Sequence, residues 1–257
     1  MPDDEFFIGY APATPSGVRR AVRRAVVMAI TVAALVAALT AAFQNPFASS
    51  VFEYGEEREF IGWLRESPAP ILIVPAPACT EFCATTSSWL LTHYGTKFGA
   101  ADLVRGLDGH QVRLRGVLVY RGDQTLLDVV PGSIETLGAD AGASQAAPPA
   151  QVVDLGVQTL AGEIVDSKCH FGVMRPGSGK SHRSCAARCI ASGAPPMLWV
   201  RDAAGHDLYL LLLGADGRTL GREILPFVAE PVELTGQVLR YDGILVLRAE
   251  PDSYRRL

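Results

Sequence analysis

The chain of 257 residues is long enough for one large or two small domains, and 49% of its residues are hydrophobic against 19% charged. The net charge of −4 and the pI near 5.7 argue against a nucleic-acid-binding protein, because such proteins show a basic face or a high pI. We therefore expect a globular protein with one apolar segment and no nucleic-acid partner.

The first predicted element is an apolar helix over residues 25–43, which carries no charged side chain. At about 1.5 Å per residue, this length just spans a hydrocarbon core of about 30 Å. Four arginines lie within residues 19–24, so the positive-inside rule places residues 1–24 in the cytoplasm and the rest in the periplasm or outside the cell. A cleaved signal peptide is the alternative, although its apolar core is usually only about 7 to 15 residues long. We predict a single-pass anchor in the inner (cytoplasmic) membrane, with membrane lipid as its partner.

An internal repeat organises the remainder of the chain. Trp89 precedes Val112 by 23 residues, and Tyr209 precedes Val232 by the same number. Equal spacing over this distance is hard to obtain by chance. The matched segments are 60–64 with 160–164, 70–74 with 196–200, 89–91 with 209–211, and 112–116 with 232–236.

Each repeat reads as three short strands, a helix and two further strands, with apolar and polar residues alternating as in residues 112–120. The triplets Arg121-Gly-Asp123 and Tyr241-Asp-Gly243 predict hairpin turns between the last two strands. Helix candidates at 100–107 and 220–228 lie between the third and fourth strands, which is the layout of an OB-type barrel. We predict a mainly β protein in which an N-terminal transmembrane helix precedes two OB-like five-stranded barrels in tandem. A single continuous β-sandwich is the alternative.

The repeat also divides the chain into domains. We assign 51–137 to the first OB-like domain, 138–150 to a linker and 151–257 to the second OB-like domain. The linker is rich in Ala, Gly and Pro and has no apolar period, so we expect it to be flexible.

All five cysteines lie in two insertions relative to the shared repeat. The interval from Gly162 to Pro196 is 26 residues longer than the matching interval from Gly62 to Pro70, and we assign this insertion to 166–193. A smaller insertion in the first barrel contains the other two cysteines. Loops that are added to a rigid scaffold commonly carry sites, so both insertions are candidates.

The larger insertion gathers three cysteines and two histidines within 21 residues: Cys169, His170, His182, Cys185 and Cys189. Cys169, His182, Cys185 and Cys189 form a Cys3His set that suits tetrahedral zinc or, as softer ligands, copper, with His170 as an additional candidate. The H-x2-C-x3-C spacing places three of these ligands within one or two turns of backbone. The paired C-x2-C knuckles of common zinc sites are absent.

Disulfide bonds are the alternative that the compartment favours, because disulfides persist in an exported domain. All five cysteines are candidates: Cys79 with Cys83, and Cys169 with Cys185 or Cys189. Closing the larger loop would stabilise the fold by about 3 kcal/mol. Since five is an odd number, at least one thiol is free, bound or paired between chains.

A third interpretation makes Cys185 and Cys189 a dithiol that cycles between redox states, although the C-x-x-C spacing of thioredoxin-type proteins is absent. Asp166 and Lys168 flank Cys169 and either tune its thiolate or belong to an ordinary solvated turn. No paired carboxylates indicate acid–base catalysis, so we predict no catalytic residue and no organic cofactor.

The segments GEIVDSKC (162–169), HRSCAARCI (182–190) and GAPP (193–196) resemble a family of bacterial membrane-anchored proteins to which no activity is assigned. Residues 5–10, 44–47 and 95–100 are similar to that family as well, whereas the insertion with Cys79 and Cys83 departs from its pattern. The resemblance implies that the anchor and the Cys/His segment belong together, and it implies no reaction.

These observations favour a non-enzymatic accessory subunit or binding module, anchored in the membrane and facing the periplasm, that docks on other subunits of a membrane redox or transport complex. The alternative function is a periplasmic thiol oxidoreductase or metal-delivery factor that uses Cys185 and Cys189.

Overall fold

The computed structural model describes residues 14–43, 50–75, 86–138 and 147–257. The chain forms two compact units, one up to Ala48 and one from Ser49 to Leu257. The first unit contains a single helix, and the second contains all of the strands of the described residues.

Helix α1 spans Ser16–Ala42, so the arginine-rich segment before residue 25 is also helical. An 18-residue window of this helix has a mean hydropathy of 2.4, and the helix is long and apolar enough to cross a membrane, as a signal sequence also would be. The hydroxyl groups of Thr31 and Thr40 donate hydrogen bonds to the carbonyl oxygens of Val27 and Val36. These bonds satisfy the two polar side chains within the apolar segment.

The first barrel contains five principal strands. Strands β2 to β4 form an antiparallel meander, β4 pairs parallel to β6, and β5 closes the barrel by pairing antiparallel to both β6 and β2. Short strands β1 and β7 add to β5. The bounds are β1 Ser50–Phe52, β2 Arg58–Arg65, β3 Ile71–Pro75, β4 Thr86–His93, α2 Ala101–Val104, β5 Gln111–Arg121, β6 Gln124–Val129 and β7 Glu135–Thr136.

The second barrel repeats this topology. Strands β8 to β10 form the meander, β10 pairs parallel to β12, and β11 closes the barrel against β12 and β8. The bounds are β8 Val152–Asp166, α3 Arg183–Ala191, β9 Pro196–Arg201, β10 Asp207–Leu213, β11 Pro231–Tyr241, β12 Ile244–Arg248 and β13 Arg255–Arg256. Two closed five-stranded barrels in tandem are therefore confirmed, and a continuous sandwich is not observed.

Equivalent glycines show the repeat at atomic detail. A Cβ atom on Gly62 would lie 2.4 Å from the carbonyl oxygen of Ile73, and one on Gly162 would lie 2.3 Å from that of Trp199. Both glycines occupy the same position in the first strand of the meander, β2 in one barrel and β8 in the other. Only a residue without a side chain lets the neighbouring strand approach this closely.

The two predicted helices between the third and fourth strands are shorter than expected. Helix α2 has only four residues, and Gly106 follows it with a positive φ of 80°. The second is a 3-10 turn, Arg222–Phe227, which contains Pro226. Proline lacks the N–H that a longer helix would need.

An apolar core fills each barrel, and a third core lies between the barrels. The core between the barrels combines Ile71 and Ile73 of β3 with Leu211 and Leu213 of β10, and Phe171 of the larger insertion also contributes. These strands are buried on both faces, so residues 71–74 and 209–213 are continuously apolar and do not alternate. The barrels therefore pack directly on each other, while residues 139–146 of the linker lie outside the described residues.

Candidate metal centre

The larger insertion leaves the second barrel at the end of β8 and returns at β9. It consists of a π-helical turn, Cys169–Val173, a connecting loop and helix α3. Cys185 and Cys189 are four residues apart in α3 and therefore lie on one face of the helix. Ala186 and Ile190, each one position further along, are buried in the core of the second barrel and fix the rotation of the helix.

The C-terminal end of α3 is also defined by the sequence. Gly193 has a φ of 90°, a left-handed conformation that favours glycine. Its N–H donates to the carbonyl oxygen of Ile190, and the N–H of Ala194 donates to that of Cys189. The chain then turns into β9, so Cys189 is held at 0% exposure beside the start of that strand.

The fold brings the three cysteine sulfurs together. The Sγ atom of Cys169 lies 3.8 Å from that of Cys185 and 3.8 Å from that of Cys189, and all three sulfurs lie within 4.8 Å of one another. The three side chains are free thiols in this structure. A disulfide needs a sulfur separation of about 2.05 Å. The edge of a tetrahedron built with Zn–S bonds of about 2.3 Å is about 3.8 Å.

A second group of potential ligands shares Cys169. Side-chain ligand atoms of Asp166, Cys169 and His182 also lie within 4.8 Å of one another, and all three residues are buried. The Nε2 atom of His182 is 3.2 Å from one carboxylate oxygen of Asp166, and the other oxygen accepts the backbone N–H of Cys169 at 2.8 Å. Asp166 therefore ties the end of β8 to the start of both helical segments.

His170 lies away from the thiols, in an aromatic environment. Its Nδ1 atom is 3.2 Å from the carbonyl oxygen of Gly177, and its ring centroid is 4.9 Å from that of Trp199 and 5.6 Å from that of Tyr209. Burial lowers the pKa of His170 to about 4, so the ring is neutral at ordinary pH. Among the described residues, His170 belongs to neither potential metal group.

A lysine from the first barrel contacts the thiol group. The Nζ atom of Lys97, in the loop after β4, donates a hydrogen bond of 2.8 Å to the Sγ atom of Cys185. This hydrogen bond raises the pKa of Lys97, and the nearby cysteines act in the same direction. An ammonium group therefore faces the thiols from the other barrel.

A second lysine fixes the loop that carries Lys97. Lys168 is buried next to Cys169, and its Nζ atom lies 2.8 Å from a carboxylate oxygen of Asp128 in the first barrel. The same ammonium donates to the carbonyl oxygens of His93 and Thr96 at 2.8 and 2.9 Å. Asp166 and Lys168 are thus buried structural residues and do not belong to a solvated turn.

The thiols differ in acidity because one donates to another. The hydrogen bond to Cys189, together with burial, raises the pKa of Cys169, and the same hydrogen bond lowers the pKa of Cys189. Lys97 contributes to the low pKa of Cys189. A cysteine of lowered pKa beside a donating thiol and an ammonium group is a favourable starting point for a cation, because thiolates are the species that bind metals.

The sequence located the three cysteines and His182, but it gave no role to Lys97 or Asp128. A compositional signal was present, because the chain contains only three lysines and two of them are Lys97 and Lys168. Residues 95–100 also stood out as a motif, without an indication of what they contact. Cys79 and Cys83 lie outside the described residues, so their predicted pairing stays a prediction.

No protein-family model, curated protein or solved structure matches this chain. The interpretation of the site therefore rests on its own geometry. Within the described residues, the Cys169/Cys185/Cys189 group and the Asp166/Cys169/His182 group are the arrangements that could hold a metal ion.

Proposed function

We propose that the protein is a membrane-anchored metal-binding module, in which Cys169, Cys185 and Cys189 hold one zinc or copper(I) ion beside the seam between two OB-like barrels. The observation that carries the proposal is the convergence of three free thiols, with the sulfur of Cys169 3.8 Å from each of the other two and all three within 4.8 Å of one another. A disulfide would use only two of the three sulfurs, whereas a soft or borderline metal uses them all.

We propose His182 as the fourth ligand, because it lies with Asp166 and Cys169 in the second group of potential ligands, which shares Cys169 with the thiol group. Its Nε2 atom lies 3.2 Å from a carboxylate oxygen of Asp166, so in this proposal Nδ1 would be the nitrogen that binds the metal. A carboxylate on the other ring nitrogen is the arrangement that commonly orients metal-bound imidazoles and increases their basicity. His170 is not part of this ligand set, because its ring is held by Gly177 and the aromatic side chains around it.

The anchor and the accessory role belong to the same proposal. Helix α1, with arginines before its apolar part, supports a single pass with the barrels in the periplasm. A small anchored module with a metal site in its second barrel and a lysine of the first barrel beside that site suits a subunit that docks on a larger membrane redox or transport complex. The net charge of −4 supports a partner other than nucleic acid.

A thiol oxidoreductase is the second candidate, and one contact favours it. The ammonium group of Lys97 at 2.8 Å from Cys185 is the kind of environment that stabilises a reactive thiolate. In that function Cys185 and Cys189 would cycle between dithiol and disulfide, and a bound metal would inhibit the exchange.

Metal analysis combined with thiol counting separates the candidates. The full chain, purified in detergent with Cys79→Ser and Cys83→Ser to remove the other two thiols, should carry about one equivalent of zinc or copper. Its three remaining thiols should react with a thiol reagent only after chelation or denaturation. Cys189→Ser should lose the metal, and Ser184→Ala, one position before Cys185 on the exposed side of α3, should retain it.

The opposite results are equally clear. A chain without metal that shows a single reactive thiol under denaturing conditions would support a disulfide and overturn the metal site. A metal-free chain with three reactive thiols and rapid dithiol–disulfide exchange would favour the oxidoreductase.

A further inference from the structure

The thiol group is accessible from one side only. Cys169 and Cys189 are 2% and 0% exposed, whereas Cys185 is partly exposed. Lys97, which donates to Cys185, is itself exposed. A ligand that arrives from solvent therefore meets Cys185 and Lys97 before it reaches the other two sulfurs.

Hydrogen bonds to the backbone of the loop fix the position of Lys97. Lys168 holds the carbonyl oxygens of His93 and Thr96 on one side of the loop. On the other side, the N–H of Gly99 donates to the carbonyl oxygen of Ser192 at the end of α3. The first barrel thus presents one ammonium group to the accessible sulfur of a site whose ligands all come from the second barrel.

The positive charge of Lys97 offsets the negative charge of the metal-bound thiolates. Three thiolates around a divalent ion carry a net charge of −1, which repels an anionic ligand. An ammonium group beside the outermost thiolate offsets that charge and stabilises the free thiolate when the bond from the metal to Cys185 breaks. A fully buried structural metal site does not need an ammonium group beside one of its ligands, as Lys97 lies beside Cys185.

We propose that Cys185 is the exchange ligand of the metal site and that Lys97 admits anionic thiolates to it, so that the protein receives or hands over its metal through this face. The inference rests on the proposed metal site. In the exchange step, a sulfur of the incoming thiolate bonds to the metal as the bond from the metal to Cys185 breaks. The Cys185 thiolate keeps its electron pair and remains hydrogen-bonded to Lys97, and no oxidation takes place.

The test compares two dithiol acceptors that differ in charge. The zinc-loaded full chain is mixed with 2,3-dimercaptopropane-1-sulfonate or with neutral 2,3-dimercaptopropanol, and the zinc that stays on the protein is measured after rapid desalting. For exchange through an accessible ligand, the rate should increase in proportion to acceptor concentration. Lys97→Met should reduce the rate about fivefold with the sulfonate and about twofold with dimercaptopropanol, because both attack as thiolates but only the sulfonate carries an additional negative charge.

Matched variants distinguish charge from structure. Lys97→Arg keeps the positive charge and should retain most of the wild-type rate. Lys180→Met removes an exposed lysine of the same insertion and should behave as wild type. A release rate that is independent of acceptor concentration, or an equal rate for Lys97→Met and wild type with the sulfonate, would overturn the exchange role while the metal site stands. A wild-type chain that binds neither zinc nor copper(I) would overturn the proposed function itself.

Discussion

The ion pair of Lys168 and Asp128 joins the two barrels directly next to Cys169. Both side chains are almost fully buried, at 4% and 0% exposure. Burial raises the pKa of Asp128, and the charge and hydrogen bond of Lys168 and the hydroxyl of Thr92 oppose this increase. Such a pair contributes little net stability, but loss of one partner leaves an uncompensated charge in the interior.

Lys168→Met should therefore destabilise the protein strongly, by about 3 to 5 kcal/mol at neutral pH, because Asp128 loses its ammonium partner and is left with the hydrogen bond from Thr92. The measurement is the free energy of unfolding from chemical denaturation. The double variant Lys168→Met with Asp128→Leu removes both charges and should recover a large part of the loss. A double variant as unstable as the sum of the single variants would contradict this account.

The destabilisation should also depend on pH. The pKa of Asp128 is raised in the folded state, so the native protein holds the carboxyl proton more tightly than the unfolded chain does. Stability from this group is greatest at low pH and falls as pH rises from the ordinary Asp value of about 3.9 through the folded pKa. Among the neighbouring ionisable groups, Lys168 has the largest effect in lowering the pKa of Asp128, and His93 acts in the same direction.

Removal of Lys168 should raise the pKa of Asp128 further, so the deficit of Lys168→Met relative to wild type should be larger at pH 8 than at pH 5. Unfolding curves at the two pH values measure this difference. A deficit that is equal at both values would show that Asp128 keeps its proton, or loses it, independently of Lys168.

At the scale of elements, the loop after β4 and the C-terminal end of α3 meet through two glycines. A Cβ atom on Gly99 would lie 1.9 Å from the carbonyl oxygen of Gly193, a distance that real Cβ atoms do not show. The loop and the helix end must therefore separate if Gly99 acquires a side chain. This contact places Lys97 beside Cys185, so packing and site geometry depend on the same residue.

Gly99→Ala should reduce the free energy of unfolding by about 1 to 3 kcal/mol, the usual cost of overpacking a close contact. It should also reduce the difference that Lys97 makes to metal exchange. Gly138→Ala is a suitable control, because a Cβ atom there meets nothing within 4 Å. A Gly99→Ala variant with wild-type stability would indicate that the loop and α3 separate without cost.

At the scale of the whole molecule, the core between the barrels makes them one folding unit. Phe171 of the larger insertion is fully buried there with side chains of both barrels. A shared core predicts that residues 50–257 unfold in one cooperative transition, although the sequence suggested two barrels on a flexible linker.

Calorimetry of the full chain should show a single transition for the two barrels, and Phe171→Ala should lower its midpoint without splitting it. Loss of this ring should cost about 3 to 5 kcal/mol, as for other buried phenylalanines. Two separate transitions in the wild-type chain would contradict a common unfolding unit.

Metal binding should add to this common stability. An ion present at about 100 times its dissociation constant stabilises the native state by about 2.7 kcal/mol. A chelator should therefore lower the unfolding midpoint of the wild-type protein and leave that of Cys189→Ser unchanged. A chelator effect of equal size in both proteins would point to a metal outside the thiol group.

The sequence by itself determined the strand order of both barrels, the apolar helix and the segment in which the cysteines converge. Each of these depends on short-range information: strand periodicity, hairpin turns, equal spacing between repeats, and the four-residue step that aligns Cys185 with Cys189. The cysteine positions within the insertion followed from comparing Gly162 to Pro196 with the shorter interval in the first barrel.

Only the tertiary structure decided how the barrels meet and which residues complete the site. Lys97 and Asp128 are 88 and 40 residues away in sequence from the partners that they contact, Cys185 and Lys168. Contacts over such distances depend on the docking of two preformed barrels, and no local pattern encodes them. The continuous apolar strands have the same origin. A single barrel predicts alternating apolar and polar residues, but here the other barrel covers the outer face of these strands as well.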